Sequence, residues 1–227
     1  RKRKQTAVAL LTAVLIFMSS ALATPLFYRD RLLTAVLGRG TQCTLVLLHG
    51  GSADVLELSG DGRGADYAAK YLRQNGVSAI GTLYLGSQPL HAGAQYTTAL
   101  TDCTVERVLT PADTPIVPGM TICGRTPTPV TDTFSLAGET HSLTLTGDTV
   151  TICCGDTTFC CQNGDTAPSP CDILVQYGNT VPAALTAGYL LVLADAETLS
   201  PDDHTLIGQN NVEFLITPRG ITMRQLS

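Results

Sequence analysis

Eight cysteines and four histidines are the side chains with which this 227-residue chain could hold a metal or act as a nucleophile. Four of the cysteines fall in one stretch, Cys153-Cys154 and Cys160-Cys161, either side of Gly155-Asp156-Thr157-Thr158-Phe159. The stretch reads as a β-hairpin with its turn at Gly155 to Thr158. Neighbouring strand residues point to opposite faces, so neither adjacent pair aims both sulfurs at one ion. The spacing is also not the C-x2-C of a zinc site. Small β-compatible residues, some of them paired as disulfides outside the cell, is the reading the pattern favours.

The histidines, His49, His91, His141 and His204, are widely scattered. His49-Gly50-Gly51-Ser52 echoes an esterase oxyanion loop, but the chain has no G-x-S-x-G to supply a nucleophile. Gly60-Asp61-Gly62-Arg63-Gly64 lacks the spacing of a dinucleotide fingerprint and reads as a strand-to-helix turn that needs positive φ. After Tyr28 the chain carries 10 basic and 19 acidic residues, a net of −9. That is a poor footprint for gripping a polyanion, because nucleic-acid affinity comes largely from Lys and Arg at phosphates.

The elements that must position these groups begin with the N-terminal segment. Arg1-Lys2-Arg3-Lys4 precedes an uncharged run from Gln5 to Tyr28, whose middle, Ala7 to Ala23, is apolar enough to enter a bilayer. A retained transmembrane helix with its basic flank in the cytoplasm fits the run. So does a cleaved signal ending at Ala21-Leu22-Ala23. Either places the remainder outside the membrane. A chain that starts on Arg just before such a helix reads as the last span of a longer, multi-span protein.

Beyond it, strands are expected at Leu32–Leu37, Cys43–Leu48 and Asp54–Leu58, then a helix at Ala65–Asn75 with Tyr67, Ala68, Tyr71 and Leu72 as its apolar stripe and Gly76 as its C-terminal stop. Val77–Leu85 is a further strand, and a short helix fits from after Ala94 to about Thr101. The rest reads as Thr-rich strands punctuated by Pro and Gly, namely 105–109, 121–123, 133–136, 142–146, 150–154, 158–162, 173–176, 189–194, 212–217 and 221–225. Two packed β-sheets with a few outer helices is the natural layering.

In this order the motifs resemble the extracytoplasmic metallo-β-lactamase-like domain of ComEC, a DNA-uptake channel. Where the family has a strand running into L-D-V-G-Q-G-D, this chain has Ala35-Val36-Leu37-Gly38-Arg39-Gly40-Thr41, keeping both glycines and losing both acids. The family's Y-L-R-x-x-G-I phrase is matched by Tyr71-Leu72-Arg73-Gln74-Asn75-Gly76-Val77. Its ligand motif, T-H-x-H-x-D-H-x-G-G, falls on Leu85 to Ala94, with Gly86 and Gln88 at two His positions, Leu90 at the Asp position and only His91 retained. Asn163-Gly164-Asp165 stands at the T-G-D motif, and Gln176-Tyr177-Gly178-Asn179 stands where the family has H-H-G-S. The closing T-x-x-G-x-I phrase is matched by Thr217-Pro218-Arg219-Gly220-Ile221.

The resemblance implies an α+β, β-rich fold, a metallo-β-lactamase-like αββα sandwich of reduced helix content over residues 29–227, preceded by a basic flank and one transmembrane helix over residues 1–28. It implies a cell-membrane protein with its soluble domain extracytoplasmic, partnered by the rest of a ComEC-like channel and at most weakly by DNA. With three of four ligands gone, no catalytic residue, no cofactor and no metal ligand is expected. A residual site at His91 and Asp165 is the exception to test. The implied role is structural or docking, in DNA uptake. The alternatives are an active metal-dependent phosphodiesterase with rearranged ligands, or a secreted β-rich binding module.

Overall fold

Strands β1 (Leu32–Leu37), β2 (Cys43–His49) and β3 (Ser52–Ser59) are near-continuous apolar runs because both of their faces are covered. In the computed structural model, which describes Thr12 and residues 31–131, 133–137, 141–147, 149–163, 170–178, 187–193, 205–207, 211–217 and 220–226, they form an antiparallel meander at the centre of an eight-stranded sheet. Helix α1 (Gly64–Gln74) leads from β3 to the parallel strand β4 (Ala79–Leu85). Helix α2 (Pro89–Ala99) leads from β4 to the parallel strand β5 (Thr104–Pro111), beside which β6 (Thr128–Val130) completes one edge. The hairpin of β14 (Val212–Thr217) and β15 (Gly220–Gln225) closes the other edge against β1.

A seven-stranded sheet packs on one face of the first. Strands β7 (Thr133–Ala137), β8 (Ser142–Thr146), β9 (Thr149–Cys154) and β10 (Thr157–Asn163) form an antiparallel meander. Strands β11 (Cys171–Tyr177), β12 (Ala187–Val192) and β13 (Thr205–Ile207) extend it in parallel. Between the sheets lies one core, in which Leu45, Leu47, Leu56, Phe159 and Phe214 are wholly buried. On the other face of the eight-stranded sheet lies a second core, where Ala68, Leu72 and Tyr96 of the helices meet Val46, Val55 and Leu83. Alternate residues of β2 and β3 therefore serve two different cores, which is why those strands show no polar face.

The αββα metallo-β-lactamase sandwich expected from the resemblance is not what forms. The protein is mostly β, in two sheets, and its two described helices have 11 residues each and both pack on the same core. The physical reason lies in segments such as TFSLA, SLTLT and TVTICC, whose Thr-rich alternation has the period of a strand. The expected transmembrane helix and the cell-membrane localisation are also corrected: no helix among the described residues is long and apolar enough to cross a membrane. Residues 5–28, Thr12 apart, lie outside the described residues.

Smaller corrections have local causes. The second helix starts at Pro89, earlier than expected, because proline's fixed φ suits the first helical turn. Ile122, expected in a strand, makes only an isolated bridge to Arg125 and packs against Gly93 of α2. A Cβ at Gly93 would lie 2.5 Å from Ile122 Cδ1, so any larger residue there would have to displace the Ile122 side chain. Tyr67, expected on the buried stripe, is 47% exposed, and Ala65 and Ala69 take its place.

Candidate functional site

The stretch that the resemblance aligns with a metal-ligand motif builds a helix start instead. Gln88 holds a left-handed conformation, φ 43°, immediately before Pro89. Gln88, Leu90 and His91 are all exposed. Gly86 sits between β4 and the turn, its N–H donating to the Glu57 carbonyl at 2.7 Å. His91 belongs to no cluster of metal-capable groups among the described residues. Asp165 lies outside the described residues, as do His204 and Asn179.

What occupies this end of the molecule is a set of ties. Gly38 has φ 129°, and a Cβ there would lie 2.3 Å from the Gln42 carbonyl oxygen, so glycine is a steric requirement at this turn. The backbone of Gly40 donates to the Leu193 carbonyl and accepts from the Gly178 N–H, both at 2.9 Å, joining the two sheets. Glu57 is buried, yet both of its carboxylate oxygens are hydrogen-bonded: Oε2 accepts from the Thr44 and Tyr96 hydroxyls at 2.7 Å, and Oε1 from the Gly62 N–H at 3.1 Å. Burial raises its pKa, and those three hydrogen bonds oppose the rise without cancelling it. Glu57 pegs β3, β2, α2 and the 60–64 loop together.

The hairpin of four cysteines turns at Gly155, as its spacing predicts. Cys161 faces the inter-sheet core and Cys160 the opposite side. All eight cysteines are thiols. Cys161 Sγ lies 3.6 Å from Cys43 Sγ, one sheet against the other. Burial, reinforced by that neighbour, pushes the Cys161 thiol pKa far up, so it is not a nucleophile.

A different group of donors meets at the opposite end of the sandwich. The Gly50-Gly51 turn, with both φ values positive, makes β2 and β3 a tight hairpin. Leu47 pairs with Asp54, and His49 lies two residues beyond Leu47, so His49 and Asp54 share the face that looks toward the second sheet. His49 Nε2 and Asp54 Oδ2 are 3.0 Å apart. His141, just before β8, arrives from the second sheet and sets its ring 4.6 Å from that of His49, tilted by 56°. One donor atom from each of the three lies within 4.8 Å of the others.

The electrostatics suit ligation. Burial raises the Asp54 pKa, but hydrogen bonds from His49 and Thr82 and the charges of both imidazoles outweigh it, and the net value lies below the usual one. Arg107 Nε donates to Thr82 Oγ1 at 2.8 Å, which orients the hydroxyl behind the carboxylate. Burial, then the His49 charge, lowers the His141 pKa to about 4, so its imidazole is neutral at neutral pH. None of these three residues carried a metal-ligand motif in the sequence. His49 and Asp54 could have been paired from the two-glycine turn and strand alternation; nothing in the spacing points to His141.

No protein-family model and no curated protein matches the chain. Among solved structures, one described as "Peroxy diiron species of chemotaxis sensor ODP" is similar at 10% identity and a TM-score of 0.39, over 60% of this chain and 60% of that one. The chain thus spans about 60% of that structure's length. A likeness of this size carries no argument about fold or chemistry, and none of these findings supports a role in DNA uptake, a membrane anchor or a metallo-β-lactamase sandwich.

Proposed function

We propose that this domain works without hydrolysis, as a structural or docking module. The observation that supports the reading best is the fate of the aligned ligand motif: Gly86, Gln88 and Leu90 offer neither imidazole nor carboxylate, and His91 stands exposed at a helix start. A hydrolytic metal needs several converging His or carboxylate ligands. The ties at Gly38, Gly40 and Glu57 hold that end of the sandwich rigid, which suits a surface that other proteins bind. The DNA-uptake setting rests on the residue resemblance alone. The acidic balance after Tyr28 argues that contact with DNA phosphates is weak.

An active metal-dependent phosphodiesterase with rearranged ligands is the competing reading, and the His49–Asp54–His141 group is what favours it. The test is turnover of single-stranded DNA and of an activated phosphodiester by the purified full chain with added Zn2+ or Mn2+. Hydrolysis no faster than metal in buffer, unchanged by His91→Ala, is expected. Hydrolysis lost in His49→Gln or His141→Ala would replace the docking reading with the enzyme.

A further inference from the structure

At the end of the inter-sheet core closed by the β2–β3 turn, His49 and Asp54 come from the eight-stranded sheet and His141 from the seven-stranded one. Their donors crowd within 4.8 Å, yet the group is left incomplete. His141 is only 6% exposed, and its Nδ1 has no hydrogen-bond partner among the described residues. An unmatched nitrogen in that setting costs about 1–3 kcal/mol, and buried polar atoms in folded proteins are overwhelmingly partnered. Asp54 is nearly as buried, with a side chain 10% exposed, while His49 at the turn is 22% exposed. One side of the group is therefore reachable and the other is dry.

We propose that His49, Asp54 and His141 bind one divalent transition ion of the zinc class and thereby clamp the two sheets together. Two imidazoles and one carboxylate are a nitrogen-rich set, which suits Zn2+, Ni2+, Co2+ or Fe2+; calcium and magnesium take shells of oxygen. Ligands about 2.0–2.1 Å from a tetrahedral ion stand about 3.3 Å from one another. The His49–Asp54 separation of 3.0 Å is within about 0.3 Å of that spacing, and His49, 22% exposed beside a two-glycine turn, is the side chain best able to adjust. Three protein ligands leave a further coordination position for water, on the reachable side at His49. The Arg107–Thr82 pair behind Asp54 is the outer support that metal carboxylates commonly have.

The inference does not depend on the docking reading. The full chain is stripped with chelator, dialysed and titrated with Zn2+ alone by calorimetry, with metal content and thermal midpoint measured on the loaded protein. One ion per chain and a raised thermal midpoint are expected. His49→Gln, at the exposed corner where folding is least at risk, should weaken binding by at least about 10-fold, as even loss of an outer partner does. Asp54→Asn and His141→Ala should do the same where they fold, and His91→Ala should bind as wild type. Failure of the wild-type chain to bind stoichiometric Zn2+, or binding that His49→Gln leaves intact, overturns the site. Binding without turnover leaves the docking reading standing; binding with turnover that His49→Gln removes overturns that reading and keeps this one.

Discussion

Truncating Leu72 to Ala tests the helix–sheet core on which α1 depends. Leu72 is fully buried between α1 and the eight-stranded sheet. Replacing its isobutyl group by a methyl removes apolar carbons worth about 0.8 kcal/mol each, or about 2.4 kcal/mol in transfer alone. A cavity term is added unless neighbours move in. Here they have little to offer. Three of its buried companions on the helix are Ala65, Ala68 and Ala69, whose methyls cannot reach into the hole, the fourth, Tyr71, is tied by its hydroxyl to Glu213, and the opposite wall is hydrogen-bonded strand. The expected cost is therefore about 3–5 kcal/mol, the upper part of the range for such changes, and a large share of a domain's usual stability of about 5–15 kcal/mol. Urea melts should show a lower midpoint at unchanged slope. Tyr67→Ala, at an exposed position on the same helix, should cost much less. A loss below about 1 kcal/mol for Leu72→Ala would mean that α1 does not pack as described.

Tyr96→Phe removes the 2.7 Å hydroxyl donor from Glu57 Oε2 in a fully buried setting, and should cost about 1–3 kcal/mol in the same melts; no loss would mean that the carboxylate is not held there. Glu57 also gives a pH signature. Its pKa is raised above 4.5 by burial, so its favourable contribution is present where it is protonated, below the unfolded value, and is lost as pH rises through the folded value. Measured from acidic to neutral pH, wild type should lose stability relative to Glu57→Gln, and a gap that moves the other way refutes the assignment.

The parts legible in the sequence are those set by local period. Strands β1 to β3, the helix after the Gly60–Gly64 turn and the cysteine hairpin follow from apolar runs, a 3.6-residue stripe and turn glycines. Even there, the stripe that apolarity alone suggests includes Tyr67, whereas Ala65 and Ala69 face the sheet and are small enough to bring α1 close to it. Helix α2 carries a weak sequence signal for a related reason. Its stripe is Ala92, Gly93 and Tyr96, two of them nearly featureless in sequence, and its seating depends on Ile122, a residue distant in the chain. The resemblance located a motif and found its ligands missing, which says what one end of the molecule does not do. It says nothing about the other end. His49 and Asp54 are neighbours by the geometry of a two-residue turn, and that much the sequence contains. Their meeting with His141 belongs to the packing of one sheet on the other, and no residue spacing encodes it. Replacing His141 therefore probes sheet packing and metal affinity at once, whereas His49→Gln, at the exposed turn, separates them. If the chelator-stripped wild type and His49→Gln melt alike while only the wild type gains stability from Zn2+, the group is a ligand set resting on a fold that stands without it.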